Sequence, residues 1–539
     1  MGSRVMRARF GWVLGLSPIL ALGLAFSGAE CASAAVRGGT LVFGRAIESQ
    51  YLDPVHTAQN ADIWLALNLY DTLLAPAADG KGGVEPGLAT GYKVSDDGRT
   101  VWLTLRPGLK FADGSALALS DVKWSLDRAR AKETGGEFAF LLASIGSVEV
   151  SAPDQVVLHM AHPDPVIIQA LATFNAGILP EKLLMAAPGK DLEEKSKNFA
   201  EHPVGSGPFV LSSWKRNSEM VMERNKYYWK QGEDGQALPY LDALKFEIIP
   251  DDATRILKLR AGELDIAEFV PYSRVAELKG DARLNMVLFP AAQVNYFTLN
   301  NRPTLKDGSK NPLNDVRVRQ ALNYATNKEA LIQVVSYGTG TPQRSFMPMS
   351  TPYAYGPGPL YPYDLAKARA LLKEAGYERG FDITCLVLAG SADDAAKLAT
   401  LQQFWSQVGV RLKGEQLDSA TRLARYNAGD FQMRTALWTN DINDPSEITS
   451  IFAYYPTRQN NRSGWQDERI DALFLQSQEE LDSVKRAAQY QELQTRYAEA
   501  APIVFTMEVP YPIAMGKSVH DFVQIPLGNN IFVTTWKDK

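Results

Sequence analysis

A run of alternating strand and helix patterns between residues 381 and 438 constrains the fold of this chain most. Phe381 to Leu388 is an apolar strand pattern, and apolar residues at helical spacing follow from Ala395 to Val408. A strand pattern at 410–417, a helical pattern at 419–427 and a strand pattern at 431–438 complete the run. Strands joined through helices lie parallel in one sheet that the helices cover. We therefore predict a parallel sheet here.

Two other regions carry strand patterns. A strand at 244–249, a helix at 252–261 and a strand at 264–270 predict a βαβ unit, and hence a parallel strand pair. Residues 71–200 favour antiparallel pairing, as in the hairpin predicted at 148–160. At roughly 150 residues per domain, the 539 residues allow several domains. The predicted fold class is α/β, with two α/β lobes and an extra β-rich domain.

Charge and cysteine content exclude several classes of protein. The chain has 56 Lys and Arg against 61 Asp and Glu, a net charge of −5. This balance argues against nucleic-acid binding through phosphate neutralisation. Two cysteines are too few for a disulfide scaffold or a thiolate metal cluster. Cys385 lies in the apolar strand pattern at 383–388, so we expect it to be a buried, unreactive thiol.

The first 35 residues have the pattern of a secretory signal peptide. Three arginines precede an apolar run over residues 10–26, and small residues follow up to Ala35. We expect cleavage after Ala35. A retained membrane anchor is the disfavoured alternative, because the run contains Pro18 and is shorter than the roughly 20 apolar residues of a membrane span. The mature protein is expected to be exported and soluble.

The loop after the last strand of the βαβαβ run is the place where topology predicts a ligand site. Ligands lie beyond the carboxyl ends of parallel strands, and this loop runs from Thr439 to Pro445. Asp444 is expected to be the N-cap of the helix that Pro445 opens. Asp441 comes too early to cap that helix. It is therefore either a solvated loop carboxylate or a ligand contact.

Signatures of catalysis are missing from the sequence. It contains neither a G-x-S-x-G motif nor an H-E-x-x-H motif. The five histidines are scattered, and no nucleophile stands beside a base. An enzyme is therefore the weaker hypothesis, and we predict no catalytic residue, no cofactor and no metal site.

Several motifs occur in order between residues 70 and 322. They are YDTLL at 70–74, EPGLA at 85–89, VSDDGRTVWLTLRPGLKFADG at 94–114, VGSGPF at 204–209, AGELD at 261–265 and VRVRQAL at 316–322. In these motifs the chain resembles the family 5 extracellular solute-binding proteins. They are the dipeptide, oligopeptide, nickel and opine receptors of bacterial ABC importers.

The resemblance implies a two-lobed periplasmic binding protein fold (type II, cluster C) with an extra β-rich domain. Carried onto this chain, residues 36–70, 201–290 and 501–539 form lobe I, residues 71–200 form domain II, and residues 291–500 form lobe III. Residues 1–35 are the signal peptide. The lobes are expected to close around the ligand and to deliver it to a membrane ABC permease with its ATPase subunits. The receptor is expected in the periplasm as a monomer, with no nucleic-acid partner.

The resemblance also implies ligand-binding residues. Peptide-binding members hold the α-amino group of the ligand with an Asp three residues after a Trp, and Trp438-Thr439-Asn440-Asp441 matches that arrangement. A buried ammonium needs a paired carboxylate, which Asp441 would supply. Trp438 is either an apolar wall with a cation–π face or part of the core. Thr439 lies between the two, and Asn60 lies in a loop of the first lobe that lines the cleft.

The chain departs from the well-known subtypes at the other end of the ligand. Residues 389–394 lack the arginine that dipeptide receptors carry there, and Thr435 stands where oligopeptide receptors have an arginine. Either Arg344 or another cation substitutes, or the ligand has no carboxylate at that distance. A nickel ligand is disfavoured because no histidine lies near the cleft loop.

We therefore predict a receptor for a small amine-bearing solute, a di- or oligopeptide. Three alternatives remain open. They are a receptor for a non-peptide solute such as an opine or amino sugar, a secreted hydrolase, and a chaperone that holds peptides.

Overall fold

The computed structural model describes residues 35–538 apart from 58, 80, 357–359 and 458–460. The predicted signal peptide lies outside the described residues except for Ala35. Residues 36–539 form one compact unit, in which two large mixed sheets and a smaller antiparallel sheet carry the helices. The domain limits implied by the resemblance stay a prediction.

The predicted βαβαβ run is confirmed and forms one side of a six-stranded sheet. Phe381–Leu388 lies between Val410–Leu417 and Met433–Thr439 and is parallel to both. The sheet as a whole is mixed, because Met433–Thr439 also pairs antiparallel with Gln293–Leu299. The strand order is Thr341–Pro342, Ile503–Glu508, Gln293–Leu299, Met433–Thr439, Phe381–Leu388 and Val410–Leu417.

The predicted βαβ unit at 244–270 belongs to a seven-stranded sheet, but its two strands do not pair with each other. Thr40–Arg45 lies between them and is parallel to both Ala243–Ile248 and Ile266–Ala267. The predicted direct pair is therefore wrong, because a strand from far along the chain occupies the middle position. The strand order is Leu284–Phe289, Tyr511–Gly516, Ile266–Ala267, Thr40–Arg45, Ala243–Ile248, Glu219–Arg224 and Phe209–Lys215.

The antiparallel module predicted within 71–200 is confirmed as a four-stranded sheet. Its strand order is Ala89–Val94, Thr100–Leu105, Gln155–Met160 and Ile145–Ala152, and the last two form the predicted hairpin. Three two-stranded pairs complete the β-structure of the described chain. They are Leu74–Pro76 with Val84–Pro86, Val519–His520 with Trp536–Lys537, and Val523–Gln524 with Asn530–Ile531.

Most α-helices of the described chain begin after a residue whose side-chain oxygen accepts one of the first free backbone N–H groups. Asp251 caps the predicted helix Asp252–Ala261, which ends at Gly262 in the left-handed conformation. The α-helices of the described chain are Asn60–Leu69, Leu119–Arg130, Ile167–Ala170, Glu181–Ala186, Leu192–Glu201, Asp252–Ala261, Tyr272–Lys279, Val316–Tyr324, Lys328–Val335, Leu365–Glu374, Ala392–Ser406, Ser419–Asn427, Pro445–Phe452, Glu468–Glu479 and Ser483–Ala500. Short 3-10 helices lie at Gly136–Leu142, Phe174–Ala176 and Pro312–Asn314.

The apolar faces of these elements build cores on both faces of the six-stranded sheet. Val294 and Tyr296 face a core with the helices after residue 445, whereas Phe297 and Cys385 face the opposite core. Cys385 is fully buried as predicted, and burial raises the pKa of its thiol. Ile442, in the loop after Met433–Thr439, packs in a third core together with residues of the four-stranded sheet. That loop therefore connects two parts of the molecule.

Candidate functional site

Asp444 and Pro445 begin a helix as the sequence predicts. Asp444 Oδ1 accepts the N–H of Ser446 at 2.8 Å, and Pro445 occupies the first turn of Pro445–Phe452. The same carboxylate also forms a buried two-bond ion pair with Arg486, with distances of 2.6 and 2.8 Å. Asp444 therefore has all its charge compensated inside the protein.

Asp441, three residues earlier, lies in a different environment. Its side chain is 7% exposed, and its Oδ1 is buried without a hydrogen-bond partner among the described residues. Its backbone N–H donates to Oε2 of Glu447 at 2.8 Å, and the N–H of Ile442 donates to the same oxygen at 3.2 Å. Glu447 is fully buried, and its Oε1 also has no partner among the described residues.

Burial raises the pKa of the Asp441 carboxyl, and burial together with the nearby Asp441 charge raises the pKa of Glu447. No ion pair within the described residues compensates either carboxylate. A carboxylate in a low-dielectric site is stabilised by a proton or by a cation that hydrogen-bonds to it. Chemically, the pair can therefore hold a cationic group that donates hydrogen bonds, such as a primary ammonium.

Trp438 and Thr439 point to opposite faces of their strand. The Trp438 ring packs edge-on against Phe452 with 6.5 Å between the ring centroids, on the core side of the sheet. Thr439 Oγ1 accepts from Gln293 Nε2 at 3.0 Å, and Gln293 lines the larger cavity described next together with Tyr511. Thr439 is thus connected to that cavity, whereas Trp438 faces the core.

Asn60 lines a cavity of about 370 Å³ between the two large sheets. One wall comes from the seven-stranded sheet and the helix Asn60–Leu69, and includes Trp64, Phe269 and Tyr511. The facing wall comes from the six-stranded sheet and includes Leu437. The cavity thus lies past the carboxyl end of Thr40–Arg45, one of the parallel strands of its mixed sheet, and ligands bind beyond this end of parallel strands.

Asp441 lines a second cavity of about 10 Å³, next to Asn443, Phe174 and Asn529. That volume holds one group of the size of a water molecule. Tyr511 connects the two places, because its ring lines the larger cavity while the Asp441 charge contributes to raising the pKa of its hydroxyl. Asn60 and Asp441 therefore line different cavities.

The strand that leads to Asp441 has an open edge. Met433–Thr439 pairs along its full length with Gln293–Leu299, but on its other side it pairs with Phe381–Leu388 only at Met433 and Arg434. Within the described chain, the five residues from Thr435 to Thr439 therefore have a neighbouring strand on one side only. Such an edge can accept an extended peptide as an additional strand.

Arg422 lies beside Thr435, the residue that stands where oligopeptide receptors have an arginine. Its Nη1 donates to Oγ1 of Thr435 at 2.9 Å and to Oδ2 of Asp394 at 3.2 Å. Nε and Nη2 of Arg422 make no hydrogen bond within the described residues, whereas the other candidate, Arg344, is exposed on the surface. A guanidinium edge formed by Nε and Nη2 matches a carboxylate in geometry.

Sequence reasoning missed Glu447, Tyr511 and Arg422. Glu447 is the third residue of a helix that starts at an Asp–Pro pair, a place where a glutamate is expected to serve the helix terminus itself. Tyr511 comes from a strand that is distant in sequence from Asp441, and Arg422 lies on the helix Ser419–Asn427 that precedes the strand leading to Asp441. The sequence signal that could have pointed to Arg422 was the threonine at position 435, where oligopeptide receptors have an arginine that another cation would have to replace.

None of the helices in the described residues is long and apolar enough to cross a membrane. Across the same residues, no group of three or more His, Cys, Asp or Glu side chains is placed to hold a metal ion.

Comparisons with known proteins agree over most of the chain. Residues 83–460 match the family described as bacterial extracellular solute-binding proteins, family 5. The glutathione-binding protein GsiB of Salmonella typhimurium is 30% identical over 511 residues, covering 93% of each chain. The probable D,D-dipeptide-binding periplasmic protein DdpA of Escherichia coli is 29% identical over 514 residues, covering 93% of this chain and 94% of its own.

A solved structure has the same fold. The periplasmic binding protein DppA of Helicobacter pylori, in complex with the peptide STSA, superimposes with a TM-score of 0.81 at 24% identity. The match covers 94% of this chain and 99% of that one. The predicted α/β fold of a two-lobed periplasmic binding protein is therefore confirmed.

Proposed function

Because this chain belongs to the family 5 bacterial extracellular solute-binding proteins, we propose that it captures a short peptide with a free amino terminus for an ABC importer. The family consists of solute-binding transport proteins. The named relatives bind glutathione and, as a probable activity, D,D-dipeptides, and the structural neighbour holds a tetrapeptide. These ligands are peptides or peptide-like, which supports the same class of ligand for this protein.

The observation that carries the proposal is the buried Asp441 carboxylate without a cationic partner among the described residues. An ammonium group placed there would compensate its charge and form a charge-assisted hydrogen bond, which contributes roughly 1.5–3 kcal/mol. The cavity beside Asp441, about 10 Å³ in volume, has room for one small polar group such as an ammonium. Asp441 is therefore the proposed anchor of the ligand's amino group.

The open strand edge supports a peptide as the rest of the ligand. A peptide backbone beside residues 435–439 would pair its N–H and C=O groups with those of the strand. Thr439 and Asn60 would then border the ligand from the two sheets, while Trp438 supports the strand from the core side. The cavity of about 370 Å³ is near the lower end of the 300–1,000 Å³ range of ligand sites, which favours a short ligand.

The proposal extends to location and partners. Cleavage after Ala35 would release a periplasmic monomer, which would deliver its ligand to a membrane permease with ATPase subunits. Its role as a carrier needs no catalytic group, cofactor or metal.

Calorimetric titration of tripeptides tests the proposed function. The protein is purified from the periplasm of cells that express the full chain, and Ala-Ala-Ala is compared with its N-acetylated form. We expect the free-amine peptide to bind and acetylation to reduce affinity at least about tenfold, the equivalent of 1.4 kcal/mol. Equal binding of the two forms would contradict the proposal.

Asp441→Asn supplies the matching variant, because it keeps the shape of the side chain and removes its charge. We expect it to abolish the preference for the free amine. Asp191→Asn is the control, since Asp191 is an exposed N-cap of Leu192–Glu201 and asparagine caps helices equally well. That variant should bind like the parent protein.

A further inference from the structure

The larger cavity has an aromatic wall that the proposed amine site does not use. The Trp64 ring lies 5.3 Å from Phe269 and 5.6 Å from Tyr511, measured between centroids. Across the cavity, Leu437 is 52% exposed, and Ile47 at the rim is 64% exposed. Large apolar side chains exposed together in a concave surface mark a place where an apolar group binds.

The backbone conformation of Phe269 is a second, independent indication of a ligand-binding site. Its φ angle is +48°, in the left-handed region that non-glycine residues rarely adopt. Such strained conformations persist where the surrounding structure holds them, and they are concentrated at ligand-binding and active sites. Here the strained residue supplies part of the aromatic wall.

The charges at the cavity are already compensated. Arg45 and Glu268 both line it and form a buried ion pair with an Nε–Oε2 distance of 3.0 Å. An additional charged group from a ligand would therefore enter an apolar place without an opposite charge of its own. The lining therefore favours an uncharged and mainly apolar occupant, with Glu268 Oε1 and Trp64 Nε1 as the buried polar atoms that have no hydrogen-bond partner among the described residues.

The ligand itself is the occupant that the geometry favours. Leu437 lies on the open strand edge, four residues before Asp441, so the two Cα atoms are at most about 14 Å apart. Gln293 lies closer still, since it lines the cavity and its Nε2 donates to Oγ1 of Thr439 at 3.0 Å, two residues before Asp441. A peptide anchored at Asp441 thus reaches the cavity within its first three residues.

We propose that this cavity receives a large aliphatic or aromatic side chain from one of the first three residues of the bound peptide. The receptor therefore selects short peptides for an apolar residue close to the amino terminus. This inference rests on the proposed function, because the peptide held at Asp441 brings the side chain to the cavity.

A set of tripeptides tests the selection. Phe, Leu or Asp replaces each position of Ala-Ala-Ala in turn, and each peptide is titrated calorimetrically into the full chain purified from the periplasm. At one position, we expect Phe or Leu to raise affinity about 10- to 100-fold over Ala, as burial of a large apolar side chain predicts, and Asp not to do so. Affinities within about twofold at all positions, or the tightest binding for Asp, would overturn the inference.

A variant that fills the cavity provides a second test of this selection. Leu437→Trp places a larger side chain in the cavity wall, so the affinity ratio between the preferred apolar peptide and Ala-Ala-Ala should fall towards one. Leu475→Trp is the matched control, because Leu475 is 54% exposed on the helix Glu468–Glu479. It should retain the ratio of the parent protein, and an unchanged ratio in Leu437→Trp would overturn the inference.

The two proposals fail in different ways. One outcome is that free-amine tripeptides bind and N-acetylated ones do not, with affinities that do not depend on the peptide side chains. In that case the proposed selection for an apolar residue is wrong and the proposed function is retained. If no free-amine tripeptide binds, or if acetylated tripeptides bind equally well, the proposed function is wrong, and so is the proposed selection for an apolar residue.

Discussion

The buried carboxylate of Glu447 accepts the backbone N–H of Asp441 at 2.8 Å. This hydrogen bond connects the first turn of the helix Pro445–Phe452 to the loop that carries the proposed amine anchor. It also brings a second carboxylate to that loop, and one oxygen of each side chain is buried without a partner among the described residues. Glu447 therefore contributes both the position of the loop and additional negative charge beside Asp441.

Glu447→Gln is expected to lower the affinity for a free-amine tripeptide about tenfold. Glutamine retains an oxygen that accepts the N–H groups of Asp441 and Ile442 but loses the charge that attracts an ammonium. Calorimetric titration measures the change. Glu508→Gln is the control, because Glu508 is also a largely buried glutamate that accepts one backbone N–H and lines neither cavity. Equal losses in the two variants would contradict a specific role of Glu447.

The ligand-free protein is expected to lose stability as the pH rises. Burial raises the pKa of Asp441 above its ordinary value near 4. The folded state therefore binds protons more tightly than the unfolded state, and the free energy of unfolding decreases as the pH rises through that range. One proton that only the folded state binds changes the free energy of unfolding by up to about 1.4 kcal/mol per pH unit, over the pH range between the pKa values of the unfolded and folded states.

Urea denaturation at pH 5, 6, 7 and 8 checks this dependence. Other buried carboxyls contribute to the slope of the parent protein, so the comparison with Asp441→Asn isolates one group. The variant should have the flatter profile and the higher stability at pH 8. An identical pH profile in both proteins would show that Asp441 ionises in the folded state without cost.

Local sequence patterns predicted much of the fold because their causes are local. Apolar periodicity located Phe381–Leu388 and its neighbours, and the Asp444–Pro445 pair located a helix start. The place of Thr40–Arg45 between two other strands was not predictable, since strand pairing depends on contacts about 200 residues away in sequence. Trp438 and Asp441 were predicted together as site residues, and the alternation of side chains along the strand places Trp438 on the core side of the sheet, opposite to Thr439. The role of Glu447 could be recognised only from the folded loop, because its carboxylate accepts the N–H of Asp441 there.

Arg422 is expected to bind the carboxylate end of a peptide ligand. Its Nη1 is held by Thr435 and Asp394, which leaves the Nε–Nη2 edge for a two-bond contact. Arg422→Met should lower the affinity for a tripeptide with a free carboxylate about tenfold or more. The same peptide with an amidated carboxyl terminus is the control, and its affinity should change little. Equal effects on both peptides would rule out a carboxylate contact.

The ion pair between Arg486 and Asp444 is expected to be essential for stability. Both side chains are buried, and removal of one partner leaves an uncompensated charge in the interior. Arg486→Met should lower the free energy of unfolding by about 3–5 kcal/mol. Urea denaturation provides the measurement, with Arg496→Met as a control because Arg496 forms a more exposed pair with Asp467. A loss of less than 1 kcal/mol in Arg486→Met would contradict this role.

Gly82 and Asn443 join the loop before Val84–Pro86 to the loop that follows Asp441. Asn443 Nδ2 donates to the carbonyl oxygen of Gly82 at 2.6 Å, and Gly82 has a φ angle of +76°.

In Gly82→Ala, the new Cβ would lie 2.0 Å from Asn443 Nδ2, and the backbone would be strained by about 1–3 kcal/mol. Because the added methyl group displaces the Asn443 side chain and breaks its hydrogen bond to Gly82, we expect the variant to bind a free-amine tripeptide about tenfold more weakly in calorimetric titrations. Gly83→Ala is the neighbouring control, since its Cβ would meet only Ala77 at 3.8 Å. If both variants bind like the parent protein, the ligand-bound state does not require the contact between Gly82 and Asn443.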